Sequence, residues 1–179
     1  MTEGREAEKK AIETAAEMLC LAIRTAPKAR GQDTLKTAVI LPEDKEMSLL
    51  ITEMERLSSE KALPSFSRDA ANIRQSGAVV LAGTSIKTVG LKYCGLCGFG
   101  NCEGKEKHPD APCVFNSHDL GLAVGSAVSK AADLRADNRI MYSAGMAARN
   151  LSLLGDGIKI IMAIPLYTGG KNIFFDRRQ

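Results

Sequence analysis

The sequence predicts an α+β domain, helices packed on a covered sheet, interrupted by one cysteine-rich insertion. Three observations predict it. Apolar residues recur with helical period in several segments, and short apolar runs of strand length lie between them. From Thr84 to Asn116 both periods vanish, and four of the five cysteines gather there. At 179 residues, 45% apolar and 25% charged, the chain has material for one hydrophobic core. It is read as a single domain, residues 1–179, with the irregular insertion at 84–116.

The first helix is expected from Glu6 to Thr25, where Ile12, Ala16, Leu19 and Ile23 form one apolar stripe. Pro27 and Gly31 stop it. A strand is expected from Thr37 to Leu41. Met47, Leu50, Ile51, Met54 and Leu57 share one face of a second helix. Phe66, Ala70 and Ile73 align on a shorter one, Ser65 to Gln75. Ala78 to Ala82 is apolar at every position, as a strand covered on both faces requires. Helical pattern resumes at Ser117 or His118, with Leu120, Val124, Ala127, Val128 and Ala131 on one face. Another helix runs from about Ser143 to Leu154 and ends at Gly155, and Ile158 to Ile164 is a strand. Asp133, Arg135, Asp137, Asn138 and Arg139 form a polar run, read as a salt-bridged loop or as the wall of a cofactor pocket.

Composition excludes several functions. A net charge of +3, no Trp and only 4% aromatic residues give no basin or stacking platform for nucleic acid. The longest apolar run, Ile160 to Tyr167, is eight residues and contains Pro165, too short to cross a bilayer. Glu3, Glu6, Glu8, Glu13 and Glu17 leave no apolar stretch for an export signal. The expected setting is the cytoplasm, where thiols stay reduced.

The cysteines carry the chemistry. Cys94, Cys97, Cys102 and Cys113 follow the spacing C-x2-C-x4-C-x10-C, with Gly95, Gly98 and Gly100 between the ligands. Iron–sulphur clusters need several thiolates converging from a short loop, and glycines let backbone amides approach the cluster sulphurs. Phe99 and Leu96 are placed to keep water off one side, and Pro112 stiffens the return of the chain. A structural zinc site also takes four cysteines and is the alternative. His108, beside the basic Lys105 and Lys107, is read as a solvated loop residue, and His118 as lying near a helix start. Cys20 is read as a small buried hydrophobe on the first helix.

The block Cys94-Gly-Leu-Cys97-Gly-Phe-Gly-Asn-Cys102 resembles the iron–sulphur domain of electron-transfer subunits of the Rnf complex and of the corrinoid iron–sulphur protein. Cys94, Gly95, Cys97, Gly98 and Cys102 match in order and spacing, and the interval to Cys113 is shorter than in that family. The resemblance implies a 4Fe-4S cluster on the four cysteines.

A second resemblance spans about 140 residues. Arg24, Ala26 and Pro27 before a strand, Asp69-Ala70-Ala71 before the next, Asp119-Leu120-Gly121 opening an Ala-rich helix, and Ser143 to Pro165 resemble flavin-dependent nitroreductases. That implies a three-layer α/β/α sandwich, a homodimer and FMN as a candidate second cofactor. The family's Arg-rich phosphate motif is absent, and only Arg5 lies near its place. Lys28, Arg30 and Lys171 are the candidate phosphate or substrate contacts. The alternative for Lys28 and Arg30 is that they solvate a helix end and complement its dipole.

Taken whole, the chain resembles an uncharacterised bacterial and archaeal family described as containing a ferredoxin domain. The residues carrying this are Thr25 to Gly31, the cysteine block, Ala131 to Tyr142 and Gly170 to Arg177. Two functions are expected from these readings. One is an iron–sulphur electron-transfer protein, flavin-linked as an oxidoreductase or not, with a redox partner that the sequence does not name. The other is a non-catalytic binding or redox-sensing protein with a structural iron–sulphur or zinc site and no flavin. Ile173, Phe174 and Phe175 form the apolar middle of a tail that is charged on either side, and this stretch either docks on its own core or reaches a second subunit.

Overall fold

Four antiparallel strands in the order β1-β2-β4-β3 form the central sheet. A computed structural model describes residues 1–175; Asp176, Arg177 and Arg178 of the expected tail lie outside the described residues. The strands are β1 Leu35–Ile40, β2 Ala78–Ser85, β3 Asp137–Asn138 and β4 Ile158–Tyr167. The helices are α1 Gly4–Thr25, α2 Lys45–Lys61, α3 Pro64–Ile73, α4 Cys102–Glu106, α5 Val114–Asp133 and α6 Tyr142–Asn150.

Strand β2 explains the layering. Side chains alternate across a strand, so a strand apolar at every position can face two cores. Val79 and Leu81 pack with α2, α3 and α6 through Leu50, Met54, Ile73 and Ala144. Ala78, Val80 and Ala82 pack with α1 and α5 through Leu19, Ile23, Leu120 and Ala127. The result is the α/β/α sandwich. Helix α6 sits so close to β4 that a Cβ at Gly145 would lie 1.9 Å from the carbonyl oxygen of Ile161.

Polar side chains tie the layers where the backbone leaves regular structure. The buried Asp119 of α5 accepts the amide of Ala29 at 2.9 Å. The buried Ser143 donates to Asp69 at 2.6 Å, joining α6 to α3. Glu53 of α2 accepts from Asn150 at the end of α6 at 2.9 Å and from Arg56 at 2.7 and 2.8 Å.

Several expectations change, among them the first strand, which runs Leu35–Ile40 and not Thr37 to Leu41, and the late helix, which ends at Asn150 and not Leu154. Helix α5 begins at Val114, one turn before Ser117, with Cys113 in the cap position. The Ser117 hydroxyl donates to the Val114 carbonyl inside the first turn instead of capping. The irregular stretch is therefore 86–113, shorter than 84–116, and it contains α4. The polar run makes two ion pairs among the described residues, Asp133 with Lys130 at 3.7 Å and Arg139 with Asp69 at 3.9 Å, but its centre is β3, paired with Tyr167 and Leu166. At the chain end Phe174 is buried in its own core, while Phe175 is exposed beneath the Arg139 guanidinium.

Candidate metal centre

The insertion leaves the end of β2 and returns to the start of α5, and both ends are clamped. Asn116, 1% exposed, donates to the Lys87 carbonyl and accepts the Lys87 amide, each at 3.1 Å. Arg30 donates to the carbonyls of Val89 and Gly90 at 3.1 and 2.8 Å, and Gln32 donates to Val89 at 3.2 Å. The turn Ala29–Gly31 that carries Arg30 holds it at a φ of 55°, a left-handed conformation uncommon in a non-glycine residue.

Between the clamps the chain folds on its glycines. Gly98 donates to the Gly95 carbonyl at 2.9 Å, and a Cβ at Gly95 would lie 2.8 Å from the Gly100 oxygen. Gly98 and Gly100 adopt φ values of 84° and 74°, open to glycine and costly for other residues. Asn101 caps α4 by accepting the Gly104 amide at 2.8 Å, which sets Cys102 at the first helical position. The Cys102 thiol donates to the Leu91 carbonyl at 3.8 Å. Residues Leu91 to Leu96, with Gly100 and Asn101, line a concavity of about 490 Å³ that includes Cys94.

The inside of the insertion is unlike the inside of the domain. From 86 to 113 the buried residues are Val89, Lys105 and Cys113; Cys94, Cys97 and Cys102 are half-buried. None of these belongs to either apolar core. Leu96 is exposed, so it shields nothing, while Phe99 stacks on His108 with centroids 4.8 Å apart. Lys105 is 3% exposed, whereas Lys107 and His108, the latter read as a solvated loop residue, are exposed.

The donor set suits a thiolate-ligated centre. All four cysteines are free thiols in one glycine-shaped loop, with Cys113 at the start of a 20-residue helix whose positive end favours anionic sulphur. Among the described residues, no three His, Cys, Asp or Glu side chains converge as metal ligands. The fit therefore lies in the donors and their loop; the sulphurs are not gathered into one coordination sphere. Cys20 is set apart on α1 against the core, where burial pushes its thiol above the ordinary cysteine range.

The cationic candidates are dispersed. The Lys28 ammonium donates to the carbonyls of Ile23, Arg24 and Ala26 at 3.0, 2.7 and 2.8 Å, closing the end of α1. Arg30 reaches the insertion, as described. Lys171 is exposed in the turn after β4. Sequence reasoning missed Gln32, Lys105 and Asn116 as builders of the insertion. The Asn116 signal, an amide just before a helical pattern, resembled an ordinary loop polar group.

The comparisons agree with this architecture. A nitroreductase from Desulfovibrio desulfuricans in complex with FMN superposes with a TM-score of 0.61 at 14% identity, covering 93% of this chain and 79% of that one. Nitroreductase CinD from Lactococcus lactis in complex with nicotinic acid gives 0.60 at 14% identity, over 92% and 84%. The fold is thus nitroreductase-like, α+β with three layers. A protein of Archaeoglobus fulgidus is 36% identical over 174 residues, 93% of this chain and 91% of its own length. Residues 109–177, which include Cys113, match the family model described as "Uncharacterized protein containing a ferredoxin domain (DUF2148)". The chain belongs to that family.

Proposed function

We propose that the protein is an iron–sulphur redox protein on a nitroreductase-like scaffold, with Cys94, Cys97, Cys102 and Cys113 holding a 4Fe-4S cluster. One observation carries the proposal. A 28-residue insertion with no apolar core keeps cysteines in and around its interior, so its cohesion requires bonds to those sulphurs. The ferredoxin-domain family supports iron over zinc. The cluster supplies a one-electron relay when bound. The chain's residues do the rest: Asn116 and Arg30 fix the ends of the loop, and Gly95, Gly98 and Gly100 let it double back. A cytoplasmic setting, where thiols stay reduced, suits five free cysteines.

Flavin is the second question. The FMN complexes among the structural neighbours support a flavin-linked oxidoreductase. The second reading, redox sensing or stabilisation of the insertion by metal without flavin, is favoured by Lys28 and Arg30. Their donors are committed to backbone carbonyls and offer a phosphate less. We further propose a homodimer. Leu120, Gly121, Val124, Ile140, Ile160 and Met162 line an apolar concavity of about 240 Å³ between α5 and β4, a face that two-fold pairing buries twice. The visible spectrum of anaerobically purified protein tests the cofactors. A broad violet band supports the cluster, added resolved yellow peaks support the flavin-linked form, and a colourless zinc protein overturns the redox reading.

A further inference from the structure

We infer that the concavity beside Cys94 is the face on which an electron carrier docks, and that the carrier is a small acidic protein. The inference rests on the iron–sulphur reading above. Tyr93 is 100% exposed and Leu96 72%, and apart from Met1 no large apolar side chain among the described residues is more exposed. Both line the concavity that includes the half-buried Cys94. Single exposed apolar residues are ordinary, but neighbours that share one concavity form a patch, and such patches mark interaction sites. The backbone beneath them is fixed. The Gly98 amide bonds the Gly95 carbonyl at 2.9 Å, and Gly95 lies too close to Gly100 to admit a Cβ. A partner therefore meets a face that needs little ordering. Gly95, Gly98 and Gly100 are exposed, so it also meets bare backbone between the cysteines.

Size and charge select the occupant. A standard interface takes about 20–30 residues a side, and transient electron-transfer encounters are the smallest class. The eight residues that line this concavity are too few to hold a second copy by themselves and suit such an encounter. Lys92 is exposed and is the single charged residue of the lining; the insertion's carboxylates, Glu103, Glu106 and Asp110, do not line it. A cation beside an apolar contact draws an anionic surface and speeds its arrival. In the step itself the carrier loses one electron, the centre gains one, and no bond or proton moves.

The full-length chain and its Tyr93→Ser, Leu96→Ser and Lys92→Glu variants are loaded anaerobically with iron and sulphide, and iron is measured in each. Reduction by a reduced acidic two-iron ferredoxin, used as the probe, is followed by stopped flow. Dithionite, small enough to need no docking face, is the control. Tyr93→Ser and Leu96→Ser are expected to slow reduction by ferredoxin about tenfold and to leave reduction by dithionite unchanged. Lys92→Glu should slow it about tenfold at low salt and far less at about 1 M salt, where screening leaves little of the attraction. Should Leu96→Ser, between two of the cysteines, lose iron, the other two variants carry the test. Fully loaded variants that ferredoxin reduces at the wild-type rate overturn the inference and leave the iron–sulphur reading standing. So does a loaded wild type that ferredoxin reduces no faster at low salt than at high salt. A dimer that Tyr93→Ser converts to monomer in sedimentation assigns the face to a second copy and overturns it as well. A wild type that takes up no iron overturns the iron–sulphur reading and the inference with it.

Discussion

Asn116 and Lys87 are joined by two hydrogen bonds, each 3.1 Å, through one side-chain amide that both donates to and accepts from the same backbone residue. Asn116 lies in the first turn of α5 and Lys87 just past β2, so this pair closes the neck of the insertion. Asn116→Leu removes both bonds and leaves the Lys87 amide and carbonyl without them. The expected cost is about 2–3 kcal/mol in urea unfolding. Asn116→Asp keeps the acceptor and should lose less.

Glu53 links α2 to α6 and gives the protein an acid limit. The bidentate bond from Arg56 holds its carboxyl below the ordinary range; burial opposes this, and the Asn150 bond adds to it. The folded state therefore binds this proton less readily than the unfolded one. The stabilisation is present above the ordinary glutamate range and is lost as pH falls through the lowered folded value. Between about pH 6 and about pH 3 the wild type should lose more unfolding free energy than Glu53→Gln does. Parallel urea titrations at the two pH values check this, and equal losses would refute it.

Phe174 and Phe175 separate intrachain packing from surface. Phe174 is 2% exposed within the core of α2, α3 and α6, and Phe175 is 63% exposed. Phe174→Ala should cost about 3–5 kcal/mol, measured by thermal or urea unfolding. Phe175→Ala should change stability by no more than about 0.5 kcal/mol.

The proposed dimer has its own test on α5. A Cβ at Gly121 or Gly125 meets nothing within 4 Å inside the chain. In an isolated chain the double change Gly121→Ala, Gly125→Ala should therefore stabilise the helix, by up to about 1 kcal/mol per site. If α5 packs against a second copy, larger side chains there obstruct it. Gly121→Leu with Gly125→Leu is expected to shift the sedimenting species from dimer to monomer while the fold is retained. A wild type that sediments as a monomer at micromolar concentration refutes the dimer.

Much of the fold was legible because periodicity reports burial directly. The stripe Ile12, Ala16, Leu19 and Ile23 packs on one face of the sheet, and the unbroken run Ala78 to Ala82 becomes the strand that faces both cores, as their spacing requires. The start of α5 was not legible. Cys113 has no side chain that caps the helix, and Ser117 imitates a cap while bonding one turn back. Strand β3 is two residues long, too short for any period. The cysteine cluster stood out by spacing, but the burial of Lys105 did not. A lysine among polar neighbours reads as solvated, and only the folded loop encloses it. Likewise Lys28 and Arg30 carried the charge expected of phosphate contacts, while their bonds to carbonyls depend on where α1 ends and the insertion begins.

The central claim is that four particular cysteines hold one iron–sulphur cluster. Iron and acid-labile sulphide are measured per chain in freshly, anaerobically prepared wild type and in Cys94→Ser, Cys97→Ser, Cys102→Ser, Cys113→Ser and Cys20→Ser. The account predicts about four irons and four sulphides in the wild type. It predicts a clear loss in each of the first four variants and no loss in Cys20→Ser, whose thiol lies apart on α1. Stoichiometric zinc without sulphide, or iron that disappears with Cys20→Ser alone, would contradict it.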